Sequence, residues 1–148
     1  MSEDTIKRLI GTWRLVSAIR RDLESGAESF VMGPQANGFI NYGTDGRMIV
    51  IVVGGPRIQP AAPVPSPDEK QALYDSLNAY AGTYSLHGNA LIHHVDTSWN
   101  ESWTGQNQKR FLKFDGELLQ LSGSPSVGND GRMGVRVMTW EKVSLGRK

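Results

Sequence analysis

The chain has no cysteine, no marked excess of charge of either sign and no long apolar run. The lack of cysteine excludes a disulfide framework and thiolate chemistry. A formal net charge of +1, without a basic stripe, argues against a nucleic-acid partner. The longest apolar run, residues 48–53, has the length of a strand and is far too short to span a membrane. Because the first residues are polar and do not lead into an apolar stretch, we find no secretory signal and expect a cytoplasmic protein.

A single domain over residues 1–148 is the natural interpretation of the length, which is sufficient to bury a real core. Apolar alternation and turn residues such as Asp45-Gly46 predict many short strands. The predicted strands cover residues 11–21, 28–32, 38–42, 47–53, 83–87, 90–99, 107–114, 117–122 and 134–143. Strands at this spacing are typical of an antiparallel barrel. The tail, residues 144–148, is expected to fray.

Residues 11–17, with the sequence Gly-Thr-Trp-Arg-Leu-Val-Ser, open the first predicted strand. Gly11 allows the backbone to bend, and Trp13 is large enough to seal one end of a closed barrel. Strand alternation predicts that one face holds Trp13, Leu15, Ser17 and Ile19. The alternative is that Trp13 is an ordinary core residue of a different β fold.

One convincing helix of some length is predicted, over residues 66–81. Ser66 provides the N-cap, a proline takes the first helical position, and Glu69 completes a capping box. Gly82 is expected to end the helix. Its apolar stripe consists of Leu73, Leu77 and Tyr80. We expect this stripe to pack on the barrel wall or across its mouth, because the strand over residues 47–53 is apolar on both faces and needs a cover.

These elements predict an all-β protein with one helix. The expected architecture is a closed antiparallel barrel of about eight to ten strands, with the amphipathic helix mid-chain and packed on the barrel.

The chain resembles the lipocalin-like domain family of bacteria and fungi over nearly its whole length. The order and spacing of several segments carry the resemblance: residues 11–17, residues 38–48 with Tyr42, the capped helix from Ser66, His93-His94-Val95, Trp103 and Trp140-Glu141. The resemblance implies a lipocalin-type barrel with a central cavity and no settled activity. It also suggests that Lys142 lies over the Trp13 ring. Unlike secreted lipocalins, the sequence has no signal peptide and no disulfide cysteines, and its helix lies mid-chain.

Two adjacent histidines lie on a predicted hairpin. If residues 88–89 form a two-residue turn, Tyr84 pairs with His93 on the more apolar face, where a phenol and an imidazole can hydrogen-bond. A bulge near the turn would invert the faces and bring His94 inside. His93 could be a pocket base, a ligand-orienting donor or a histidine satisfied within the core. Because His93 and His94 point to opposite faces, we predict no metal site, and no motif indicates a cofactor.

Arg110 lies on the next predicted hairpin. A turn at residues 115–116 would pair Leu112 with Leu119 and Arg110 with Leu121, which puts the guanidinium on an apolar face. An unpaired charge would be costly there. The partner of Arg110 could be a ligand carboxylate, an internal carboxylate or water at the barrel rim.

The favoured function is binding of a small, largely hydrophobic or amphipathic organic molecule in the barrel cavity. The predicted ligand-binding residues are His93, Tyr84, Arg110, Tyr42, Trp99 and Trp103, of which the last three could also be plain core. The alternative is an isomerase, cyclase or hydrolase acting on a hydrophobic metabolite, with His93 as its acid or base, although no complete catalytic set can be identified. A third hypothesis is a packed barrel whose outer surface mediates assembly, and a homodimer remains open. A sufficiently large cavity reached by His93 and Arg110 would favour the first two hypotheses.

Overall fold

In the computed structural model, which describes residues 2–144, eight strands close an antiparallel barrel. In chain order the elements are α1 (Ser2–Leu9), β1 (Gly11–Asp22), β2 (Glu28–Phe30), β3 (Asn37–Tyr42), β4 (Arg47–Val53), α2 (Pro67–Asp75), β5 (Leu77–His87), β6 (Ala90–Ser98), a 3₁₀ turn (Glu101–Trp103), β7 (Asn107–Asp115), β8 (Leu118–Ser122), β9 (Ser126–Val127) and β10 (Met133–Lys142). The barrel order is β1-β3-β4-β5-β6-β7-β8-β10, and β10 pairs back with β1, while β2 and β9 are short additions. The predicted closed barrel is confirmed. Of the tail predicted to fray, residues 145–148 lie outside the described residues.

A bulge in β1 changes which of its side chains face inward. Leu15 pairs with Trp140 of β10, but the next paired residue is Ser17, so Val16 has no partner and is exposed. The extra residue moves the buried face to Ala18. The prediction that Ser17 and Ile19 share the face of Trp13 is therefore wrong, because strict alternation ends at the bulge.

One end of the barrel is sealed by Trp13 and α1. The buried indole of Trp13 donates from Nε1 to the Leu9 carbonyl at 2.8 Å. The Lys142 ammonium lies 4.5 Å from the centroid of the Trp13 ring. It also donates to the carbonyls of Ile10 at 2.6 Å and Arg8 at 2.9 Å. The predicted positions of Trp13 and Lys142 are confirmed, and three backbone carbonyls of the N-terminal segment receive their hydrogen bonds from this pair.

The mid-chain helix is shorter than predicted. The capping box is present, with Ser66 Oγ accepting from the Glu69 amide at 3.2 Å and Glu69 Oε1 accepting from the Ser66 amide at 2.7 Å. However, α2 ends at Asp75 and buries no residue, so the prediction of a helix over residues 66–81 is wrong beyond that point. Neither helix in the described part of the chain is long and apolar enough to cross a membrane.

Strand pairing explains why the helix stops. From Leu77 to Thr83, β5 pairs with β4, which satisfies its backbone in the sheet and buries Tyr80 inside the barrel. Tertiary pairing thus overrides the local helix propensity of an alanine-rich segment. Gly82 does not end a helix but lies at a bulge, where a Cβ would collide with the His94 carbonyl oxygen. The predicted apolar stripe of the helix does not exist, because two of its three residues, Leu77 and Tyr80, belong to β5.

The end of the barrel opposite α1 is covered by the segment between β2 and β3. In residues 31–36, the side chains of Val31, Met32 and Ala36 pack against the core. The carbonyl of Met32 accepts a hydrogen bond from the Gly55 amide at 3.0 Å, which ties this segment to the chain that leaves β4. This irregular segment therefore covers the end of the barrel where β4 ends and β5 begins.

Candidate functional site

The hairpin of β5 and β6 brings a histidine into the barrel. Tyr84 pairs with His93, as predicted, and the His93 side chain is only 2 % exposed. His94 points outward, where its ring nitrogens lie 2.9 Å from Ser85 Oγ and 2.9 Å from Asn107 Oδ1. The prediction that His93 faces the interior is confirmed.

His93 lies between two tyrosine hydroxyls. Tyr42 Oη is 2.7 Å from Nε2 of His93, and Tyr80 Oη is 2.6 Å from Nδ1. The predicted hydrogen bond from Tyr84 does not form, because the Tyr84 hydroxyl donates instead to the Gly43 carbonyl at 2.7 Å. Tyr42 was a predicted site residue, whereas Tyr80 was not, since the sequence had indicated a helix there.

Burial keeps all three groups uncharged. Desolvation, reinforced by the positive charge of Arg110, lowers the pKa of His93 to about 3. Burial raises the pKa of Tyr80 to about 12 and raises that of Tyr42 well above its ordinary value. At neutral pH the cluster therefore consists of one neutral imidazole and two neutral phenols.

The hairpin of β7 and β8 puts Arg110 on the inner face by a register that differs from the predicted one. Leu112 pairs with Leu121 and Phe114 with Leu119, because the turn begins one residue later than expected. The predicted pairing of Leu112 with Leu119 is thus wrong by two residues. Since side chains alternate with a period of two, this shift leaves each residue on its predicted face.

A small interior cavity of about 40 Å³ lies where the side chains of His93, Tyr80 and Arg110 meet. The polar residues that line it are Asn78, Tyr80, His93 and Arg110. The other lining residues are Ile40, Val50, Val52, Leu121, Met138 and Trp140. His93 and Arg110 thus reach the same cavity, as expected, but its volume is far below the roughly 300–1,000 Å³ typical of ligand pockets, so the cavity does not have the size that the binding and enzyme hypotheses call for.

Arg110 has no acidic partner at this cavity. Across residues 2–144 it forms no ion pair, and its Nη1 donates to the Lys109 carbonyl at 2.9 Å. Its side chain is half-buried, so part of the guanidinium charge is screened by solvent. The internal carboxylate that the sequence left open as a partner is not found in this part of the chain.

The other predicted aromatic residues lie away from the cavity. Tyr84 packs edge-on against Tyr42, with ring centroids 5.0 Å apart. Trp103 contacts Tyr80 at 5.6 Å and Trp99 at 5.1 Å between centroids. Trp103 thus backs a cavity residue without lining the cavity. The sequence did not identify Asn78 or Trp140, although inward alternation in correctly assigned strands would have indicated both.

A larger apolar groove of about 520 Å³ lies on the outer wall across β3 to β6. Strand pairing sets side by side one row of Phe39, Ile51 and Ala79 and another of Asn41, Ile49, Ala81 and Thr97. Ile49 is 59 % exposed and Ile51 is 49 % exposed, so α2 does not cover them as predicted. No charged side chain lines this groove, and Trp99 closes one side of it.

Among residues 2–144, no group of three or more histidine, aspartate and glutamate side chains could hold a metal ion. His93 in particular has both ring nitrogens engaged by hydroxyls. The described side chains at the cavity therefore offer hydrogen-bonding groups rather than a set of metal ligands.

Comparison with known proteins supports the architecture. Neither the curated proteins nor the solved structures contain a match to this chain. The lipocalin-like domain family matches residues 10–143, which includes the whole barrel from β1 to β10. The chain therefore belongs to the lipocalin-like domain family.

Proposed function

We propose that this protein binds a small, largely hydrophobic organic molecule inside its barrel, with a polar group of that molecule at Arg110 and the Tyr80 hydroxyl and with His93 behind Tyr80 as its hydrogen-bond partner. The observation that carries the proposal is the meeting of these polar side chains at one cavity in an otherwise apolar wall. Polar groups on such a wall need partners, and a ligand can supply them. Ligand binding in general is also what a lipocalin-like barrel suggests.

The cavity volume limits how such a molecule binds. About 40 Å³ admits roughly three water molecules or one small functional group. A larger ligand must displace side chains at the end covered by residues 31–36, where Val31 and Met32 pack on the core without belonging to a strand. We therefore expect the polar head to occupy the existing cavity and the apolar part to replace these side chains.

Binding is better supported than the alternative of an isomerase, cyclase or hydrolase. Both nitrogens of His93 are hydrogen-bonded to tyrosine hydroxyls, so the ring makes no direct approach to a molecule in the cavity. Its pKa of about 3 also makes the imidazole a weak base. Proton transfer to a substrate would have to pass through Tyr80.

Fluorescence titration with a panel of fatty and aromatic acids tests the proposal. We expect at least one member to bind the wild-type protein and Arg110→Ala to weaken that binding about tenfold or more, because a hydrogen bond to a charged group is lost. Arg14→Ala is the matched control, since Arg14 stacks on Phe39 on the outer wall, 5.4 Å from the ring centroid. Absence of binding by the whole panel, or equal weakening in both variants, would contradict interior binding.

We also propose that the outer groove pairs with a second copy of this chain. The Ile49 and Ile51 side chains form a ridge beside a furrow over Ala79 and Ala81. A two-fold axis would bring the ridge of each copy into the furrow of the other, as in face-to-face sheet packing. No charged side chain lines the groove itself, and Arg14 lies at its edge, 5.4 Å from the ring centroid of Phe39.

The oligomeric state tests this second proposal. Light scattering from micromolar to millimolar concentration should report a dimer for the wild-type protein and a monomer for Ile49→Arg. Ile58→Arg is the control, because Ile58 is 88 % exposed and lies outside the groove. A wild-type protein that stays monomeric, or a dimer that survives Ile49→Arg, would refute this interface.

A further inference from the structure

We propose that the interior cavity receives the carboxylate of a monocarboxylic acid, held by Arg110, the Tyr80 hydroxyl and the Trp140 indole. This inference rests on the proposed interior binding and adds the chemical class of the ligand. It follows from counting which hydrogen-bond donors and acceptors at the cavity remain without a partner.

The hydrogen bonds of His93 fix the direction of the Tyr80 hydroxyl. A neutral imidazole has one N–H and one lone pair, so one tyrosine donates to it and the other accepts from it. Tyr42 is fully buried, and His93 is the sole hydrogen-bond partner of its hydroxyl within residues 2–144. If Tyr42 accepted from His93, its own hydrogen would be buried without an acceptor, which is costly.

Tyr42 therefore donates to Nε2 of His93, and the Nδ1–H of His93 donates to Tyr80 Oη. The hydrogen of the Tyr80 hydroxyl is then left over. Tyr80 lines the cavity, and no second partner of its hydroxyl exists in the described part of the chain. One O–H donor is thus available to a molecule in the cavity.

Trp140 supplies an independent second donor. Its side chain is 1 % exposed and lines the cavity, and its Nε1–H is buried without a hydrogen-bond partner among the described residues. The other buried tryptophan, Trp13, has its Nε1–H satisfied by the Leu9 carbonyl. Because buried donors are nearly always paired, the free indole N–H indicates an acceptor that the protein itself does not provide.

The positive charge of Arg110 indicates that this acceptor is negatively charged. Its guanidinium carries five N–H donors and no acceptor, and it has no ion-pair partner in residues 2–144. The neighbouring Asn78 amide offers both an acceptor and donors. A carboxylate accepts several hydrogen bonds and donates none, whereas an ammonium would be repelled by Arg110.

The size of the cavity agrees with this assignment. A carboxylate has three heavy atoms, which is comparable to the roughly three water molecules that about 40 Å³ can admit. The head group therefore fits without movement of the barrel. Only a longer tail requires the side chains of residues 31–36 to be displaced.

NMR titration with three molecules of equal chain length tests the inference. Butyrate, 1-butanol and butylamine each contain four carbon atoms in an unbranched chain and differ in the head group. We expect butyrate to bind about tenfold or more tightly than the other two and to move the indole proton of Trp140 downfield, as formation of a charge-assisted hydrogen bond does. Arg110→Met should reduce this preference for butyrate about tenfold.

Two tryptophan variants provide a matched comparison. Trp140→Phe removes an unpartnered indole N–H at the cavity, whereas Trp99→Phe removes an equally unpartnered one at the outer groove. Butyrate affinity should fall in the first variant and stay unchanged in the second. If Trp140→Phe fails to fold, the indole shift in the wild-type protein and the Arg110→Met result still show whether the cavity binds a carboxylate.

The outcomes separate this inference from the proposed function. If 1-butanol binds as tightly as butyrate, or if the Trp140 indole resonance does not move, the carboxylate assignment is wrong although interior binding stands. If none of the three molecules binds and the panel of larger acids also fails, both proposals are overturned.

Discussion

Replacing Trp13 with alanine should lower the free energy of unfolding by about 3–5 kcal/mol, which is the range for truncation of a core aromatic residue. The expected loss has several physical sources. The variant leaves a cavity at the sealed end of the barrel, and it removes the hydrogen bond to the Leu9 carbonyl. It also removes the ring that lies under the Lys142 ammonium. Urea denaturation followed by circular dichroism measures the difference.

Trp13→Phe serves as the control for this prediction. It keeps an aromatic ring at the sealed end but removes the Nε1–H, so its loss should be clearly smaller than that of the alanine variant. If Trp13→Ala lost less than about 1 kcal/mol, the role of this ring as the seal of the barrel would be refuted.

Acidification should destabilise the protein through His93. An unfolded histidine takes up a proton near pH 6.5, whereas burial lowers the pKa of the folded one to about 3. Between these two pH values the unfolded state binds more protons, so acid favours unfolding. Above pH 6.5 the protonation of His93 does not change the free energy of unfolding. Below that pH the free energy of unfolding falls by about 1.4 kcal/mol per pH unit, which amounts to a loss of about 4–5 kcal/mol at pH 3.

The comparison of variants isolates His93 from the carboxyl groups, which also titrate in acid. The free energy of unfolding should depend less steeply on pH in His93→Gln than in the wild-type protein between pH 6.5 and pH 3. Equal slopes for the wild-type protein and His93→Gln would show that His93 is not buried in its neutral form.

The elements that local chemistry determines could be predicted from the sequence. The turn after His87 forces Tyr84 opposite His93, so the interior position of His93 followed from residue types within one hairpin. The capping box at Ser66 likewise depends only on near neighbours. Arg110 was correctly assigned to the inner face even though its register was wrong, because a two-residue shift preserves the face.

The elements that depend on distant strands could not be predicted. The Ala79 and Ala81 segment suits a helix in isolation and becomes a strand because β4 is available beside it. As a result, Tyr80 was missed as the partner of His93. The bulge at Val16 arises from the pairing of β1 with β10, and no residue type near Val16 predicts it. The small size of the cavity reflects the packing of side chains from most of the barrel strands, which pattern alone does not measure.

The closure of the barrel by β1 and β10 has a consequence for synthesis. The first long strand of the chain and the last one pair with each other, so β1 lacks its β10 neighbour until residues 133–142 have left the ribosome. A nascent chain that has made β1 to β8 exposes two free strand edges, and such edges recruit other chains. Expression should therefore be most prone to aggregation at this late stage, and slower translation of the loop before β10 should lower the yield of folded protein.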